Sequence, residues 1–318
     1  MAILDPSDAA IATCIELLKS SKLIGMPTET VYGLAANGLD SEAIAGLYAA
    51  KKRPQFNPLI CHVASLEQAK TIGMFDEYAT KLAQAFWPGP LTLVVPRVHN
   101  CGVPLLASAG LETIAIRVPA HAVAQKLLIA AEFPIVAPSA NLSGRLSPTN
   151  PSHVKEQFPS LTILDGGSST VGLESSIIGC LGKTPLWLRS GGISRDDIEE
   201  SLGLTLREPQ HQEDSQAKLA PGRLAKHYAP KHALVISNEA PHPDDALVTF
   251  GKNKERHRGY IDNLSPSGEL SEAAARLYQS LHAADAALGA SNGRIIVRPI
   301  NATGLGEAIM DRLLRASA

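Results

Sequence analysis

The sequence of 318 residues has few cysteines, no excess of positive charge and no long apolar run. Its four cysteines are far apart and form no Cys-x-x-Cys pair, which argues against a zinc cluster or a disulfide framework and suits a reducing cytosol. The formal net charge is −2, whereas proteins that bind nucleic acid through its phosphates are usually basic, so strong direct nucleic-acid binding is not expected. No apolar run reaches ~18 residues, and the N-terminal stretch is acidic where a signal peptide is basic. We therefore expect a cytoplasmic protein without a membrane span.

The sequence also lacks the common signatures of nucleotide-binding and hydrolytic enzymes. The stretch GCLGKT at 179–184 resembles the end of a phosphate-binding P-loop, but Ile177 stands where that motif needs a glycine. The stretch GLG at 304–306 lacks the third glycine of the dinucleotide fingerprint, because Ile309 occupies its place. Gly-x-Ser-x-Gly and His-Glu-x-x-His motifs do not occur either. The usual hydrolase, kinase and zinc-enzyme signatures are therefore absent, and no metal site is predicted.

Predicted strands and helices alternate along most of the chain. Apolar residues at helical spacing predict a first helix, with Asp5 as the capping residue. Ser41 is expected to cap a second helix that ends at Lys52 or Arg53, before a proline. Further helices are predicted at 76–86, 121–131, 151–157 and after 194, and strands at 23–26, 59–63, 91–96, 113–118, 135–138, 161–164, 175–180 and 185–189. The pattern indicates an α/β fold with a mixed sheet.

Residues 207–231 interrupt this alternation. They are polar, lack periodicity and carry three prolines, so we interpret them as a linker long enough to have a function of its own. After the linker, the pattern restarts with strands at 233–237, 246–250 and 294–298 and helices at 271–288 and 306–315. We therefore predict a first domain at 1–206, a linker at 207–231 and a smaller α/β domain at 232–318.

Three cations, Lys51, Lys52 and Arg53, directly precede an apolar run that contains His62. The compact charge of a lysine and the planar fork of an arginine suit a polyphosphate if the end of the helix lets them converge. Another interpretation stays open, because basic residues near a helix C-terminus also offset the helix dipole. A histidine in an apolar run is often a core residue. We expect Lys52 to be solvated.

Other polar segments follow or end predicted strands. Residues 28–30 (Thr-Glu-Thr) come after the first strand, where they could also cap a turn. Arg117 ends a β-branched strand, which places it either at the mouth of a pocket or at the edge of the protein. The loop at 137–149 offers backbone N–H groups and hydroxyls that suit an anion, although an ordinary polar turn has the same composition. Residues 172–179 and 188–192 also place polar groups beside strand ends.

In combination these segments resemble the threonylcarbamoyl-AMP synthase family, in the long, two-domain form of the YrdC-like proteins. The matching stretches are PTETVYGL (27–34), KKRPQFNPLICHV (51–63), FWPGPLTLV (86–94), IAIRVPAH (114–121), SANLSG with SPT (139–149) and GLESSI (172–177). PGRLAKHYAP (221–230) resembles the family's linker motif, from which Leu224 and Ala225 depart, and GLGEAIMDRLLRA (304–316) resembles the end of its second domain. The resemblance implies a YrdC-like mixed, twisted sheet with flanking helices and a smaller, Rossmann-like C-terminal α/β domain.

The resemblance also implies an activity. Members of this family combine L-threonine, bicarbonate or CO2, and ATP into L-threonylcarbamoyl-AMP and pyrophosphate. This is the first step of the N6-threonylcarbamoyladenosine modification at position 37 of tRNA. A separate transferase complex then moves the group onto tRNA. The resemblance implies that this complex is a partner of this chain. Mg²⁺ is expected to accompany ATP, because the phosphates supply most of its ligands.

The resemblance assigns roles to individual residues. The family's catalytic elements fall on Lys51, Arg53, Ser139 and Asn141. The residues implied to bind ATP are Lys51, Arg53, Asn57, Thr113, Ser139, Ser147, Arg189, His227 and Tyr228. The residues implied to bind threonine are Thr30, His62, Arg117, Ala137 and Ser175, with Arg117 on its carboxylate. The linker is implied to act as a lid over the site.

Two other functions compete with this one. A non-catalytic RNA-binding module could use the groove of Lys51 and Arg53 for nucleic-acid phosphates, but the net charge argues against it, and an RNA groove has no need of Arg117 and Ser175. A carbamoyl-transfer domain of a larger assembly is the third interpretation. The linker and the second domain argue against that interpretation.

Overall fold

The computed structural model describes residues 2–209, 227–253 and 255–318. Its strands are β1 (Ile3–Leu4), β2 (Ile24–Met26), β3 (Gly33–Asn37), β4 (Ile60–His62), β5 (Leu91–Pro96), β6 (Thr113–Arg117), β7 (Ile135–Val136), β8 (Thr162–Leu164), β9 (Ser176–Gly179), β10 (Leu186–Arg189), β11 (Leu234–Ile236), β12 (Ala246–Thr249), β13 (Ile261–Asn263) and β14 (Ile295–Val297). Its helices are α1 (Asp8–Lys19), α2 (Ser41–Lys51), α3 (Leu66–Ile72), α4 (Glu77–Phe86), α5 (Ala122–Ala131), α6 (Pro151–Gln157), α7 (Arg195–Leu202), α8 (Leu270–Leu288) and α9 (Leu305–Ala316). Within the described ranges, no helix has the length and apolar character that crossing a membrane requires.

In the described part of the chain, strands β1 to β10 form one mixed sheet in the order β1-β8-β2-β3-β7-β4-β6-β5-β9-β10. β4 and β6 are parallel neighbours, with Ile60 beside Ala115 and His62 beside Arg117. β7 lies antiparallel to β4 on its other side, and β9 lies parallel to β5. Because parallel strands end at the same edge of a sheet, His62 and Arg117 leave the sheet side by side.

Helices cover both faces of this sheet. Along β3, Leu34 and Ala36 pack in an apolar cluster with α2, whereas Ala35 packs in another cluster with α1 and α5. Because both faces of β3 are buried, it shows no alternation of polar and apolar residues, and its pattern did not predict a strand. The seven-residue helix α3 and the edge strand β13 were not predicted either, because each is too short to show periodicity.

Several helix termini differ from those predicted, and Asp40 rather than Ser41 caps α2, because its Oδ1 accepts the backbone N–H groups of Glu42 and Ala43 at 2.8 and 3.2 Å. Ser7 rather than Asp5 caps α1, because its Oγ accepts the backbone N–H of Ala10 at 3.2 Å. α2 ends at Lys51, and Lys52 adopts a left-handed conformation with a φ of 51°. The side chain of Lys52 is exposed, as expected. On either side of this turn, the side chain of Lys51 contacts Ser139, whereas that of Arg53 contacts Asn57.

The residues after 231 form a second sheet in the order β11-β14-β12-β13, and the described strands in it are all parallel. α8 and α9 pack against this sheet through buried apolar residues, among them Leu277, Leu281 and Ile309. The mixed sheet and the smaller parallel sheet confirm the predicted α/β fold class.

The C-terminal domain packs directly on loops of the larger sheet. Val31, Leu146 and Leu173 lie in the same apolar cluster as the core of the C-terminal domain. Gly172, with a φ of +73°, lies so close to α8 that a Cβ atom there would be 2.5 Å from the carbonyl oxygen of Ala274. This approach requires glycine, both for its backbone conformation and for the space. The two sheets therefore share an apolar interface beside the loops that follow β2, β7 and β8.

Candidate functional site

A cavity lies where the C-terminal ends of β4 and β6 meet the loops that follow β2 and β7. It encloses a volume of about 50 Å³. Glu174 is the only carboxylate among the described residues that line it, and the lining holds three arginines. Ten of the predicted site residues line this cavity: Thr30, Arg53, His62, Arg117, Ala137, Ser139, Ser175, Arg189, His227 and Tyr228. Residues from loops far apart in the sequence therefore meet here.

One end of the cavity is built around Arg117, the last residue of β6. Its Nε donates to the carbonyl oxygen of Gly89 at 3.2 Å, and its Nη1 donates to Thr30 Oγ1 at 2.7 Å. Its Nη2 lies 2.7 Å from Oε1 of Glu29, and both side chains are buried. Burial raises the pKa of Glu29, but the charge of Arg117 and the N–H of Ala120 outweigh that effect and lower it. The pair is therefore ionised, and it holds Arg117 in the cavity wall.

His62, the last residue of β4, lies beside Arg117 in the same wall. It is 2% exposed, and its Nδ1 has no hydrogen-bond partner among the described residues. Burial, reinforced by the charge of Arg117, lowers the pKa of His62 to about 3. The imidazole is therefore neutral at pH 7.

Lys51 is buried and does not line the cavity. Its Nζ donates to the carbonyl oxygens of Ser139 and Asn141, in the loop after β7. Burial, together with the charge of Arg53, lowers the pKa of Lys51 well below its usual value. Lys51 thus ties the end of α2 to the loop that contains Ser139, and the cation that reaches the cavity wall from this segment is Arg53.

Arg53 is held by backbone carbonyl groups. Its Nε donates to the carbonyl oxygen of Asn57 at 3.2 Å, and its Nη2 donates to that of Pro58 at 3.0 Å. The hydroxyl of Tyr48 also donates to the carbonyl oxygen of Asn57 at 3.0 Å, which fixes this turn. Burial lowers the pKa of Arg53 to about 10, so the guanidinium is charged at pH 7. No carboxylate is among these contacts of Arg53, and its charge is available to an anion in the cavity.

Arg189, the last residue of β10, lies in the wall near Arg53. Its Nε and Nη2 donate to the carbonyl oxygen of Ser175 at 3.1 and 2.9 Å, and its Nη2 also lies 3.2 Å from Ser175 Oγ. Ser175 Oγ is 2.6 Å from Thr92 Oγ1 in β5. Burial lowers the pKa of Arg189. The loop before β9 is thus fixed to two strands of the sheet.

Glu174 is a residue of the cavity wall that the motifs did not assign. It accepts hydrogen bonds from Ser147 Oγ at 2.6 Å, from Arg312 Nε at 2.7 Å and from the hydroxyl of Tyr278 at 3.1 Å. Burial raises its pKa, but the charges of Arg312 and Arg189 outweigh burial and hold the pKa at about 2. Tyr278 and Arg312 lie 104 and 138 residues further along the chain, so no local pattern could reveal these bonds.

His227 and Tyr228 enter the cavity wall from the end of the predicted linker. Their rings are 4.0 Å apart, and the Tyr228 ring lies 5.1 Å from the guanidinium carbon of Arg312. The backbone N–H of His227 donates to the carbonyl oxygen of Arg315 at 3.2 Å. Burial lowers the pKa of His227 to about 3. Residues 210–226, most of the predicted linker, lie outside the described residues.

Five predicted site residues do not line the cavity, and they lie behind or beside its wall: Lys51, Asn57, Thr113, Asn141 and Ser147. Four of them are buried and act on neighbouring loops through hydrogen bonds. Thr113 begins β6, at the opposite end of that strand from Arg117. The register that places Ile60 beside Ala115 brings Thr113 toward Pro58, which does line the cavity.

The cavity wall does not form a metal cage. Among the described residues, no group of three or more His, Cys, Asp or Glu side chains could hold a metal ion. The carboxylate of Glu174 is already engaged with Ser147, Tyr278 and Arg312. Magnesium needs several oxygen ligands, so these residues do not fit a resident Mg²⁺ ion.

The charges of the wall favour an anionic ligand. Arg53, Arg117 and Arg189 all line the cavity, and the wall's single described carboxylate, Glu174, is paired with Arg312. Guanidinium groups fixed by other contacts bind carboxylates and phosphates with little reorganisation. The buried surroundings also exclude water, which strengthens such contacts. The wall therefore presents fixed positive charge to an anionic ligand, from Arg117, Arg53 and Arg189.

Family models cover almost the whole chain. Residues 16–191 match the Sua5_yciO_yrdC model, described as telomere recombination. Residues 193–318 match the model described as threonylcarbamoyl-AMP synthase, C-terminal domain. The matches thus include both the larger sheet and the C-terminal domain.

Curated relatives and a solved structure are similar over the same extent. The threonylcarbamoyl-AMP synthase of Pyrococcus abyssi is 38% identical over 317 residues, covering 94% of this chain and 92% of the relative. That of Bacillus subtilis is 35% identical over 331 residues, covering 99% of this chain and 94% of the relative. A crystal structure of P. abyssi Sua5 complexed with L-threonine has a TM-score of 0.89 and 34% identity, covering 100% of this chain and 98% of that one.

Proposed function

Because this chain belongs to the Sua5-type threonylcarbamoyl-AMP synthase family, we propose that its cavity binds ATP beside Arg53 and Arg189 and L-threonine beside Arg117. The enzyme is a nucleotidyltransferase that combines L-threonine, bicarbonate or CO2, and ATP into L-threonylcarbamoyl-AMP and pyrophosphate. This reaction is the first step of t6A modification of tRNA. The family and activity that the motifs implied are thereby confirmed. The observation that carries the proposed placement is that three fixed guanidinium groups line one cavity, with Arg117 held by Gly89 and Thr30, Arg53 by Asn57 and Pro58, and Arg189 by Ser175.

At the first end, the guanidinium of Arg117 binds the carboxylate of threonine. Glu29 and Thr30 keep Arg117 in place, and Nδ1 of His62 offers the bound amino acid a polar contact. The amine of threonine forms a bond to the carbon of CO2, loses a proton and becomes a carbamate. A carbamate is short-lived in water, so a wall that excludes water preserves it. Ala137 and Ser175 complete the threonine side of the cavity.

At the second end, the phosphates of ATP bind to Arg53 and Arg189. An oxygen of the carbamate attacks the α-phosphorus of ATP, and the bond to pyrophosphate breaks. The step needs positioning and positive charge rather than a covalent nucleophile. Ser139 faces ATP from the wall, and Lys51 acts by holding the loop that contains it. Asn57, Thr113, Asn141 and Ser147 support the ATP end from behind the wall.

Substrate entry requires movement of His227 and Tyr228. The cavity volume of about 50 Å³ is far below the ~300–1,000 Å³ of typical ligand pockets. Both side chains line the cavity and come from a loop rather than from a helix or strand. We assign them to the end of the linker at 207–231, between domains at 1–206 and 232–318; residues 210–226 of this linker lie outside the described residues. Their rings would lie on the nucleotide once ATP is bound.

Three further assignments belong to this proposal. Mg²⁺ enters with ATP and takes its ligands from the phosphates and from water, because the wall offers no free carboxylate among the described residues. The product passes to a separate transferase complex that modifies tRNA. The enzyme acts in the cytoplasm, which suits its four cysteines, all of them free thiols.

The test measures pyrophosphate release from ATP with and without bicarbonate and L-threonine. Release that requires both is expected, and release that is independent of either one would overturn the assignment. Arg117→Gln should raise the KM for threonine about tenfold or more, while Arg53→Gln should raise the KM for ATP by a similar factor. Lys52→Met, which changes an exposed neighbour, is the control. If both arginine variants raise both KM values equally, the two ends are assigned wrongly.

A further inference from the structure

The hydrogen bonds of Glu174 connect the cavity to the C-terminal domain. Glu174 is 7% exposed and lines the cavity beside Arg189. Of its three donors, Ser147 belongs to the loop after β7, whereas Tyr278 lies in α8 and Arg312 in α9. Two of the three groups that hold this carboxylate therefore come from the C-terminal domain, to which the reaction itself assigns no role.

We propose that Arg312 is a positioning residue for the ATP end of the cavity, acting through Glu174 and Tyr228. This inference rests on the proposed placement of ATP beside Arg53 and Arg189. It gives the C-terminal domain a direct part in nucleotide binding, although Arg312 itself does not line the cavity.

Charge is the first reason. A carboxylate in the wall of a polyphosphate site repels the phosphates unless a cation pairs with it. Arg312 Nε lies 2.7 Å from Glu174 Oε2, and the two side chains are 1% and 9% exposed. In a buried setting such a pair is screened little by solvent. Arg312 thus neutralises a carboxylate that would otherwise repel phosphates bound beside Arg53.

Geometry is the second reason. While Nε binds Glu174, Nη2 of Arg312 donates to the carbonyl oxygen of Ser190 at 2.8 Å, directly after Arg189. The same guanidinium lies 5.1 Å from the centre of the Tyr228 ring. One planar group therefore fixes three segments that carry residues of the cavity wall. A lysine has no fork and could not make these contacts together.

Neighbouring contacts hold the same loops from the same domain. Oε1 of Glu307 accepts from Ser190 Oγ at 2.6 Å. Nε2 of His282 lies 3.2 Å from the carbonyl oxygen of Ser147, so it carries the proton of that ring and donates it. The C-terminal domain thus contacts both the loop of Ser147 and the turn after β10. Arg312 contacts both places: it donates to Glu174, which accepts from Ser147, and it donates to the carbonyl oxygen of Ser190 in that turn.

The first experiment compares KM for ATP, KM for threonine and kcat in Arg312→Gln and in Arg276→Gln. Arg276 is the matched control, because it pairs with Asp262 within the C-terminal domain and is 38% exposed. Arg312→Gln should raise the KM for ATP tenfold or more and change the KM for threonine less than threefold. Arg276→Gln should change neither. An unchanged KM for ATP in Arg312→Gln, or equal rises for both substrates, would overturn the proposal.

A second set of variants separates positioning from general loss of structure. In Arg312→Gln the carboxylate of Glu174 loses its cation, so adding Glu174→Gln should recover part of the ATP affinity. A merely structural role predicts that the double variant is worse than either single one. Arg312→Lys should recover less than half of the effect, because it restores charge without the fork. If Arg312→Gln does not fold, the KM for ATP of Arg312→Lys is compared with that of the wild type. A raised KM supports the proposal, and an unchanged KM overturns it.

Arg53→Gln distinguishes failure of this inference from failure of the ATP placement. ATP binding to each variant is measured directly by calorimetry. If Arg53→Gln weakens ATP binding and Arg312→Gln does not, only the role of Arg312 is wrong. If Arg53→Gln has no effect on ATP binding, the placement of ATP is wrong and the inference loses its basis.

Discussion

The two ends of the cavity are each held by a buried pair of a carboxylate and a guanidinium, but the pairs differ in origin. Glu29 and Arg117 both belong to the larger sheet and its loops, with Nη2 and Oε1 2.7 Å apart. Glu174 and Arg312 have the same separation between Nε and Oε2, yet they join the larger sheet to α9 of the C-terminal domain. In the proposed placement, the threonine end is thus complete within one domain, whereas the ATP end draws on two.

This difference indicates that the two ends of the site depend on the C-terminal domain to different extents. The threonine end can stay rigid, because Arg117 is fixed by Gly89, Thr30 and Glu29 without help from the C-terminal domain. At the ATP end, any shift of the C-terminal domain moves Arg312 and with it the carboxylate of Glu174. In the proposed placement, a change at the domain boundary is therefore expected to alter nucleotide binding more than threonine binding.

The largest effect is expected from breaking the pair at the threonine end. Arg117→Gln leaves the carboxylate of Glu29 buried without its cation, which should lower the free energy of unfolding by ~3–5 kcal/mol. Arg97→Gln is the control, because Arg97 donates to Val103 and Ser108 but pairs with no carboxylate in the described residues. Urea denaturation measures both. Equal losses of unfolding free energy in the two variants would show that the pair of Glu29 and Arg117 contributes no more to stability than the contacts of Arg97.

The next effect concerns the contact between the two domains. Gly172→Ala places a Cβ atom 2.5 Å from backbone atoms of α8 at a φ of +73°, whereas Gly268→Ala meets nothing within 4 Å at a φ of +86°. Both changes strain the backbone by ~1–3 kcal/mol, so the extra loss in Gly172→Ala reports the clash. We expect about 2 kcal/mol more destabilisation and a raised KM for ATP in Gly172→Ala. Matching stability curves for the two variants would contradict the close approach.

Lys51 and Lys52 test whether the ATP end needs its loop held in place. Lys51→Met keeps the length of the side chain but removes the bonds to Ser139 and Asn141. Its kcat/KM for ATP should fall about tenfold, roughly 1.4 kcal/mol, with a smaller change in kcat/KM for threonine. Lys52→Met removes an exposed charge and should stay within twofold of the wild type. A loss of similar size in both variants would favour a general effect of charge.

The smallest effect is a pH dependence at the domain boundary. The rings of His153 and His282 stack 3.8 Å apart, and burial, followed by the charge of His282, lowers the pKa of His153 to about 3. The unfolded chain takes up a proton near pH 6.5, so the stability due to His153 is present above pH 6.5 and is lost as the pH falls toward 3. Between pH 7 and about pH 5.7, the free energy of unfolding of His153→Gln should fall by about 1 kcal/mol less than that of the wild type, measured by urea denaturation. His99→Gln, an exposed change, should follow the wild type.

The sequence indicated the position of some wall residues more clearly than that of others. Arg117 and His62 stand at the ends of strands with clear apolar patterns, so their meeting at one edge of the sheet follows from strand order. The assignment of Lys51 to the phosphates stays a prediction: its side chain bonds the loop after β7, and Lys52 beside it adopts a left-handed turn. Such a turn depends on a single φ angle that no periodicity reveals.

The sequence by itself determined the family, the α/β alternation and the presence of arginines at strand ends. The tertiary structure decided which cations reach the cavity and which ones hold its walls. It also brought Glu174 together with Tyr278 and Arg312, residues 104 and 138 positions away. The physical reason is that hydrogen bonds between distant residues depend on how two separate sheets pack, whereas strand and helix patterns depend on neighbours along the chain.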